Sequence, residues 1–304
     1  MTSLSPVGIG TWAMGGAWRM GWGAADDEES VRALHAAIDA GVTWVDTAPL
    51  YGDGHAERIV GRALAGREDV LVFTKCGLYD DRVDQRPETV RASVHASLRR
   101  LGRDRVDAVQ VHWPDPSVPV EDTWGELADL QREGLVRWLG ISNHPVELVA
   151  RAHATAPVDV VQLRLHLLDQ RGLDDLVPWC AAHGARALAY SPLASGLLSG
   201  PVEVAALPDD DWRRDDERFA IEAGMAPAAY DAVRGLDTGL PPAHVALAWL
   251  LAQPGVTGAI VGVRTTAEAM DAAAAARSSM SADDLAALAH ALGAAARVPR
   301  PGPR

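Results

Sequence analysis

Two patterns of apolar residues alternate along the chain. Short continuous runs rich in Val and Ile read as strands buried on both faces, and apolar residues at every third or fourth position read as amphipathic helices. Strands are predicted over residues 7–12, 42–46, 70–77, 106–111, 136–141, 158–163, 185–190 and 257–261. Helices are predicted over 27–40, 57–65, 87–101, 120–133, 145–154, 173–183, 242–252 and 266–276, with a last Ala-rich helix over about 282–295. Gly41, Gly134 and Gly184 follow helices where a left-handed residue closes the last turn, and Pro87 suits a first turn. Residues 191–240 break the alternation and are expected to be irregular, acidic and Arg-bearing around Asp211-Trp212-Arg213-Arg214.

Eight strand–helix units at spacings suited to right-handed parallel crossovers predict an α/β fold, a (β/α)8 barrel of the TIM type. A doubly wound sheet needs a Gly-rich turn after its first strand, and Gly8-Ile9-Gly10-Thr11-Trp12-Ala13 lacks the third glycine. The expected organisation is one barrel domain over 1–296, with an irregular segment after strand 7 and a C-terminal helix. A Pro/Arg tail over 297–304 is expected to be disordered.

Composition narrows the partners. The chain of 304 residues is 48% hydrophobic, ample for a core of barrel size. Its net charge of −13 argues against nucleic acid or an anionic membrane, so an anionic ligand needs a local positive site. Residues 1–12 have no basic segment or apolar run of signal-peptide length, and no later stretch could span a bilayer, so neither leader nor anchor is expected. Cys76 and Cys180 make no disulfide framework and have no metal-ligand spacing, which points to a reducing cytoplasm. None of these features sets an oligomeric state.

The chemistry gathers where strands end. Lys75 is the only lysine; every other cationic side chain among the 28 Lys and Arg is arginine. A compact ammonium at the end of a buried strand is a poor structural choice and a good catalytic one, because its pKa can be tuned. Asp46, His112, Ser142, Asn143, Gln162 and Tyr190 also fall at or near strand ends, where a barrel carries its active site. Tyr51, on the loop after Asp46, offers a phenol with an ordinary pKa near 10, which a nearby ammonium would lower. Asp46 can hold Lys75 charged, and His112 can donate to a carbonyl oxygen gaining negative charge. Such a set protonates an alkoxide as it forms, as carbonyl reduction requires. Asp46 and His112 lack the neighbours that would complete a metal shell, so no metal is expected. Trp12, Trp18 and Trp22 lie on one Gly-rich loop, which reads equally as a packed loop or as an aromatic wall beside a pocket.

Several ordered motifs resemble the aldo-keto reductase superfamily over nearly the whole chain. They are Asp46-Thr47-Ala48-Pro49-Leu50-Tyr51-Gly52, Phe73-Thr74-Lys75, Val111-His112-Trp113-Pro114-Asp115, Gly140-Ile141-Ser142-Asn143, Tyr190-Ser191-Pro192-Leu193 with Ser195-Gly196-Leu197-Leu198, and Gly262-Val263-Arg264-Thr265. The resemblance implies Tyr51 as proton donor, Lys75 and Asp46 as its tuning pair and His112 as carbonyl orienter. It also implies NADPH, favoured over NADH, lying across the barrel mouth near Gly10, Thr11 and Trp12. Ser142, Asn143 and Gln162 would hold the carboxamide, and Tyr190 would stack on the nicotinamide. Ser191, Leu193, Gly196 and Leu197 would follow the pyrophosphate, Arg264 with Thr265 would meet the adenosine 2′-phosphate, and Gly262 and Glu268 would lie at the same adenosine end. Trp12, Trp22 and Trp113 on mouth loops would favour a flat or apolar carbonyl compound, such as an intermediate of bacterial specialised metabolism; sugar-derived and cyclitol-related substrates, and the alcohol-oxidising direction, fit the same residues.

The chain departs from the family pattern in three places. Glu268 and Ala272 stand where Gln and Asn are frequent, so an adenine contact is altered and a carboxylate sits near the expected phosphate. Leu165 and His166 replace Tyr and Asn after Gln162, and Pro201 replaces a common lysine after Gly200. Two other functions use parts of the same constellation: a Schiff-base aldolase or lyase at Lys75, and a regulatory subunit that holds the cofactor with little turnover.

Overall fold

The computed structural model describes residues 3–209 and 211–293. Eight parallel strands pair in sequence order and close into a barrel. They are β1 (Val7–Gly10), β2 (Trp44–Asp46), β3 (Leu71–Cys76), β4 (Val106–Val111), β5 (Val136–Ser142), β6 (Val160–Arg164), β7 (Arg186–Tyr190) and β8 (Val256–Gly262). β8 pairs back onto β1, with Val7 opposite Ala259 and Gly10 opposite Gly262. The helices are α1 (Asp27–Asp39), α2 (His55–Ala63), α3 (Pro87–Leu101), α4 (Val120–Arg132), α5 (Val146–Thr155), α6 (Leu176–His183), α7 (Glu217–Arg234), α8 (Pro242–Leu251), α9 (Thr266–Ala275) and α10 (Ala282–Leu292). Among the described residues no helix is long and apolar enough to cross a membrane.

The period of two along each strand sorts side chains into layers. Trp44, Leu71, Phe73, Ala108, Val160, Leu188 and Ile260 form one buried apolar cluster. Two residues further along the same strands come Asp46 after Trp44, Lys75 after Phe73, Gln110 after Ala108, Gln162 after Val160 and Tyr190 after Leu188. Side chains at i and i+2 share a face, so a polar layer sits on the apolar one, toward the carboxyl ends. The outward residues pack under the helices in a second, larger core. Trp44 needs empty space opposite it. A Cβ on Gly8 would stand 2.2 Å from its ring, and one on Gly258 would stand 3.3 Å away.

The expected barrel is present, with local differences. Residues 191–240 are not irregular throughout, because they contain the 18-residue α7. Its buried residues, Phe219, Glu222, Ala226, Ala229 and Val233, have helical spacing, but a carboxylate and two alanines weaken the apolar stripe. Pro227 inside the helix hides it further. Glu222 is tolerated there because Arg164 clasps it with two bonds of 3.2 and 2.6 Å. The helix expected from residue 173 starts at Leu176, after a short 3-10 turn over Arg171–Leu173, with Asp175 at the cap. β1 stops at Gly10, and Trp12 opens a 3-10 turn. The predicted helical residues 294–295 and the tail over 297–304 lie outside the described residues.

Gly8→Ala should lower stability by about 2 kcal/mol, the usual scale for forcing a methyl into a packed core. A lower urea midpoint with unchanged slope would report it.

Candidate active site

The β2–β3 register pairs Asp46 with Phe73, so Lys75 shares the inward face one step nearer the mouth. Lys75 is 1% exposed, and its ammonium donates three hydrogen bonds, to Asp46 Oδ2 at 2.5 Å, Thr47 O at 3.0 Å and Tyr51 Oη at 3.2 Å. The other Asp46 oxygen accepts from Gln110 Nε2 at 3.1 Å and Gln162 Nε2 at 2.8 Å. Both charges are therefore saturated with partners, which a buried ion pair requires. Gln110 was not anticipated as part of this site. Its signal was a lone amide in an apolar strand, and Gly140 across the β4–β5 pair leaves room for it: a Cβ there would approach Gln110 Cγ to 2.5 Å.

His112 follows β4, its N–H donating to Cys76 O at 3.0 Å. Its ring meets Tyr51 edge-on at 6.0 Å. Burial and then the Lys75 charge hold its pKa well below 6.5, so the imidazole is neutral. Burial lowers Lys75, but Asp46 and Tyr51 more than offset it, and the ammonium sits above its ordinary pKa. For Tyr51 the sequence-based expectation is reversed. Lys75 does pull the phenol down, but burial pushes it up more strongly, so the net direction is upward.

Asn143 links two strand ends from a left-handed backbone, φ 62°. Its amide nitrogen donates to His112 O at 2.9 Å and Ser142 Oγ at 3.1 Å, while its oxygen accepts from Tyr190 Oη at 2.6 Å. Thr11 donates twice to Asp46 O, tying β1 to β2 at the mouth. These residues, with Gly10, Gln162, Ser191, Leu193, Gly196 and Gly262, line one cleft of about 2200 Å³ that also contains Tyr51 and His112. Leu197 is buried in the core and, like Thr265, does not line the cleft.

The tryptophans divide. Trp12 lies between Tyr51 and Trp212, with ring centroids at 6.5 and 5.2 Å. Trp22, expected beside the substrate, also packs under two guanidinium groups, Arg213 at 4.5 Å and Arg264 at 5.6 Å. Trp113 is 40% exposed in the cleft lining. Trp212 and Arg213 were not anticipated in the site; residues 191–240 showed no pattern by which to place them. Arg264 is already engaged: its N–H donates to Glu268 Oε2 at 2.6 Å, and its guanidinium pairs with Glu268 Oε1 at 3.2 Å.

Residues 6–292 match the Aldo/keto reductase family, and the chain belongs to it. It is accordingly an oxidoreductase. Over 274 residues it is 34% identical to the aldo-keto reductase YhdN of Bacillus subtilis, covering 86% of this chain and 81% of that one. The solved structure of glycerol dehydrogenase AKR11B4 from Gluconobacter oxydans matches with a TM-score of 0.87 at 34% identity, covering 99% of this chain and 95% of that one. An aldo/keto reductase from Klebsiella pneumoniae, solved in complex with NADP and acetate, matches with a TM-score of 0.70 at 30% identity, covering 94% and 91%.

Lys75→Met leaves Asp46 buried without its counter-charge and should cost about 3 kcal/mol of stability. Equilibrium urea unfolding at neutral pH measures the loss.

Proposed function

We propose that this chain reduces the carbonyl of an aldehyde or ketone to the alcohol with NADPH as cofactor. The observation that carries the proposal is the chain Asp46–Lys75–Tyr51, closed at 2.5 and 3.2 Å, with neutral His112 beside the phenol in one cleft. Bound NADPH supplies the hydride. The donor set in the cleft fits this cofactor. Arg213 and Arg264 bring guanidinium groups, well matched to phosphates, into an otherwise acidic chain. Tyr190 offers a ring, and Ser142, Asn143 and Gln162 offer hydroxyl and amide groups suited to a carboxamide. The NADP complex of the Klebsiella pneumoniae relative supports the same cofactor here.

Tyr51 gives its proton to the carbonyl oxygen as negative charge develops there. Lys75, kept charged by Asp46, stabilises the phenolate left behind. His112, neutral, donates a hydrogen bond to the same oxygen and orients the carbonyl. Trp12 and Trp113 give the site apolar walls suited to a flat or apolar substrate. The same groups run alcohol oxidation in reverse, the direction named for the Gluconobacter oxydans relative. The raised Lys75 pKa works against a Schiff-base role, which needs the free amine.

Tyr51→Phe should keep NADPH affinity within about twofold and lower kcat by about 10²–10⁴-fold, the usual contribution of a positioned proton donor. Turnover near the wild-type level would remove Tyr51 from the chemistry. In the wild type, kcat for reduction should stay level between about pH 6 and 8. Across that window Tyr51 is below its raised pKa and protonated, and His112 is above its lowered one and neutral. A rate change centred near pH 6.5 would assign His112 a titrating role instead.

A further inference from the structure

The turn from β8 into α9 already holds its own anions. Arg264 gives both its N–H and its guanidinium to the two oxygens of Glu268. Thr266 N–H donates to Glu29 Oε1, at 2.7 Å, from the start of α1. Glu268 N–H donates to Thr265 Oγ1 at 3.2 Å, the helix cap. That Thr266 bond, first, and Arg32 hold the Glu29 carboxyl below its ordinary pKa, so it is ionised at neutral pH. One carboxylate, Glu29, therefore occupies the first N–H of α9, a position that favours negative charge, and a second, Glu268, occupies the donors of Arg264 just before the cap.

We propose that Glu268 sets the cofactor selectivity of this protein, as a built-in competitor for the 2′-phosphate of NADPH. The inference rests on the reading of Arg264 as the residue that meets that phosphate. A dinucleotide carrying the phosphate must first draw Arg264 away from Glu268 and then share its surroundings with a carboxylate. One lacking the phosphate leaves the pair closed, and its 2′-hydroxyl is a donor that a carboxylate accepts, as acidic residues do in NAD sites. Trp22, at 5.6 Å from the Arg264 guanidinium, limits where that group can go when Glu268 releases it. Discrimination between NADPH and NADH is consequently narrow, although a guanidinium is present.

Glu268→Gln and Glu268→Ala test this, because an exposed i,i+4 pair contributes little to folding and both variants should fold. Binding is followed by tryptophan fluorescence with NADPH, NADH and 2′,5′-ADP, the last of which carries the 2′-phosphate but no nicotinamide. Both variants should bind NADPH and 2′,5′-ADP about tenfold more tightly, since one like charge near the phosphate is removed, and NADH no more tightly than the wild type. Arg264→Ala should lose affinity for 2′,5′-ADP. Unchanged 2′,5′-ADP affinity in both Glu268 variants, with Arg264→Ala still losing it, overturns the inference and leaves the reading of Arg264 intact. An Arg264→Ala variant that binds 2′,5′-ADP as the wild type does overturns both.

Discussion

The buried contact between Asp46 and Lys75 is the constraint on which the mouth of this barrel depends. Two charges taken out of water are costly unless every lone pair and proton finds a partner. Here both are supplied by the strands and by the loop that follows β2. Lys75 reaches Asp46, Thr47 O and Tyr51, and the second Asp46 oxygen takes Gln110 and Gln162. Residues from four strands are thereby bound to one carboxylate–ammonium pair. Tyr51 inherits its position from that network, and an ammonium serves better than a guanidinium fork because only a compact charge fits at the top of the packed interior.

The same solution recurs at the edge of the mouth. Arg164, opposite Tyr190 in the β6–β7 register, binds the fully buried Glu222 of α7. This second buried pair fastens the helix that follows the long segment after β7. That segment carries Trp212 and Arg213, whose contacts with Trp12, Trp22 and Ser195 O roof part of the cleft. The cleft thus joins two electrostatic regimes. At Tyr51 and His112 burial keeps both side chains neutral. At Arg264, half exposed, the charges are open to solvent and are balanced by carboxylates.

How much of this was legible depended on whether a local pattern carried it. Lys75, Asp46, His112 and Asn143 could be placed because strand ends were visible, and Lys75 and Asn143 are the single lysine and asparagine of the chain. Gln110 is not legible in this way, because one amide in an apolar strand looks like a satisfied core group. Its meaning depends on Asp46, 64 residues earlier. α7 is hidden because its buried stripe includes Glu222 and alanines, which read as polar or neutral until Arg164 is set against them. The upward shift of Tyr51 had the same origin: a neighbouring ammonium can be guessed from sequence, but the depth of burial that outweighs it cannot.

By itself the sequence determined the alternation of strands and helices, and with it the eightfold barrel and the end at which the scarce polar residues collect. Those features follow from periodicities of two and 3.6 residues and from short-range turn chemistry. Tertiary structure alone decided which polar groups face one another. It set the glutamines on Asp46, Arg164 on Glu222, Trp22 under two arginines, Glu268 on Arg264, and Glu29 on the first N–H of α9. Those partners are distant in the chain or depend on the angle at which loops leave the barrel. Hydrogen bonds and ion pairs depend on distance and direction, and closing the barrel sets both.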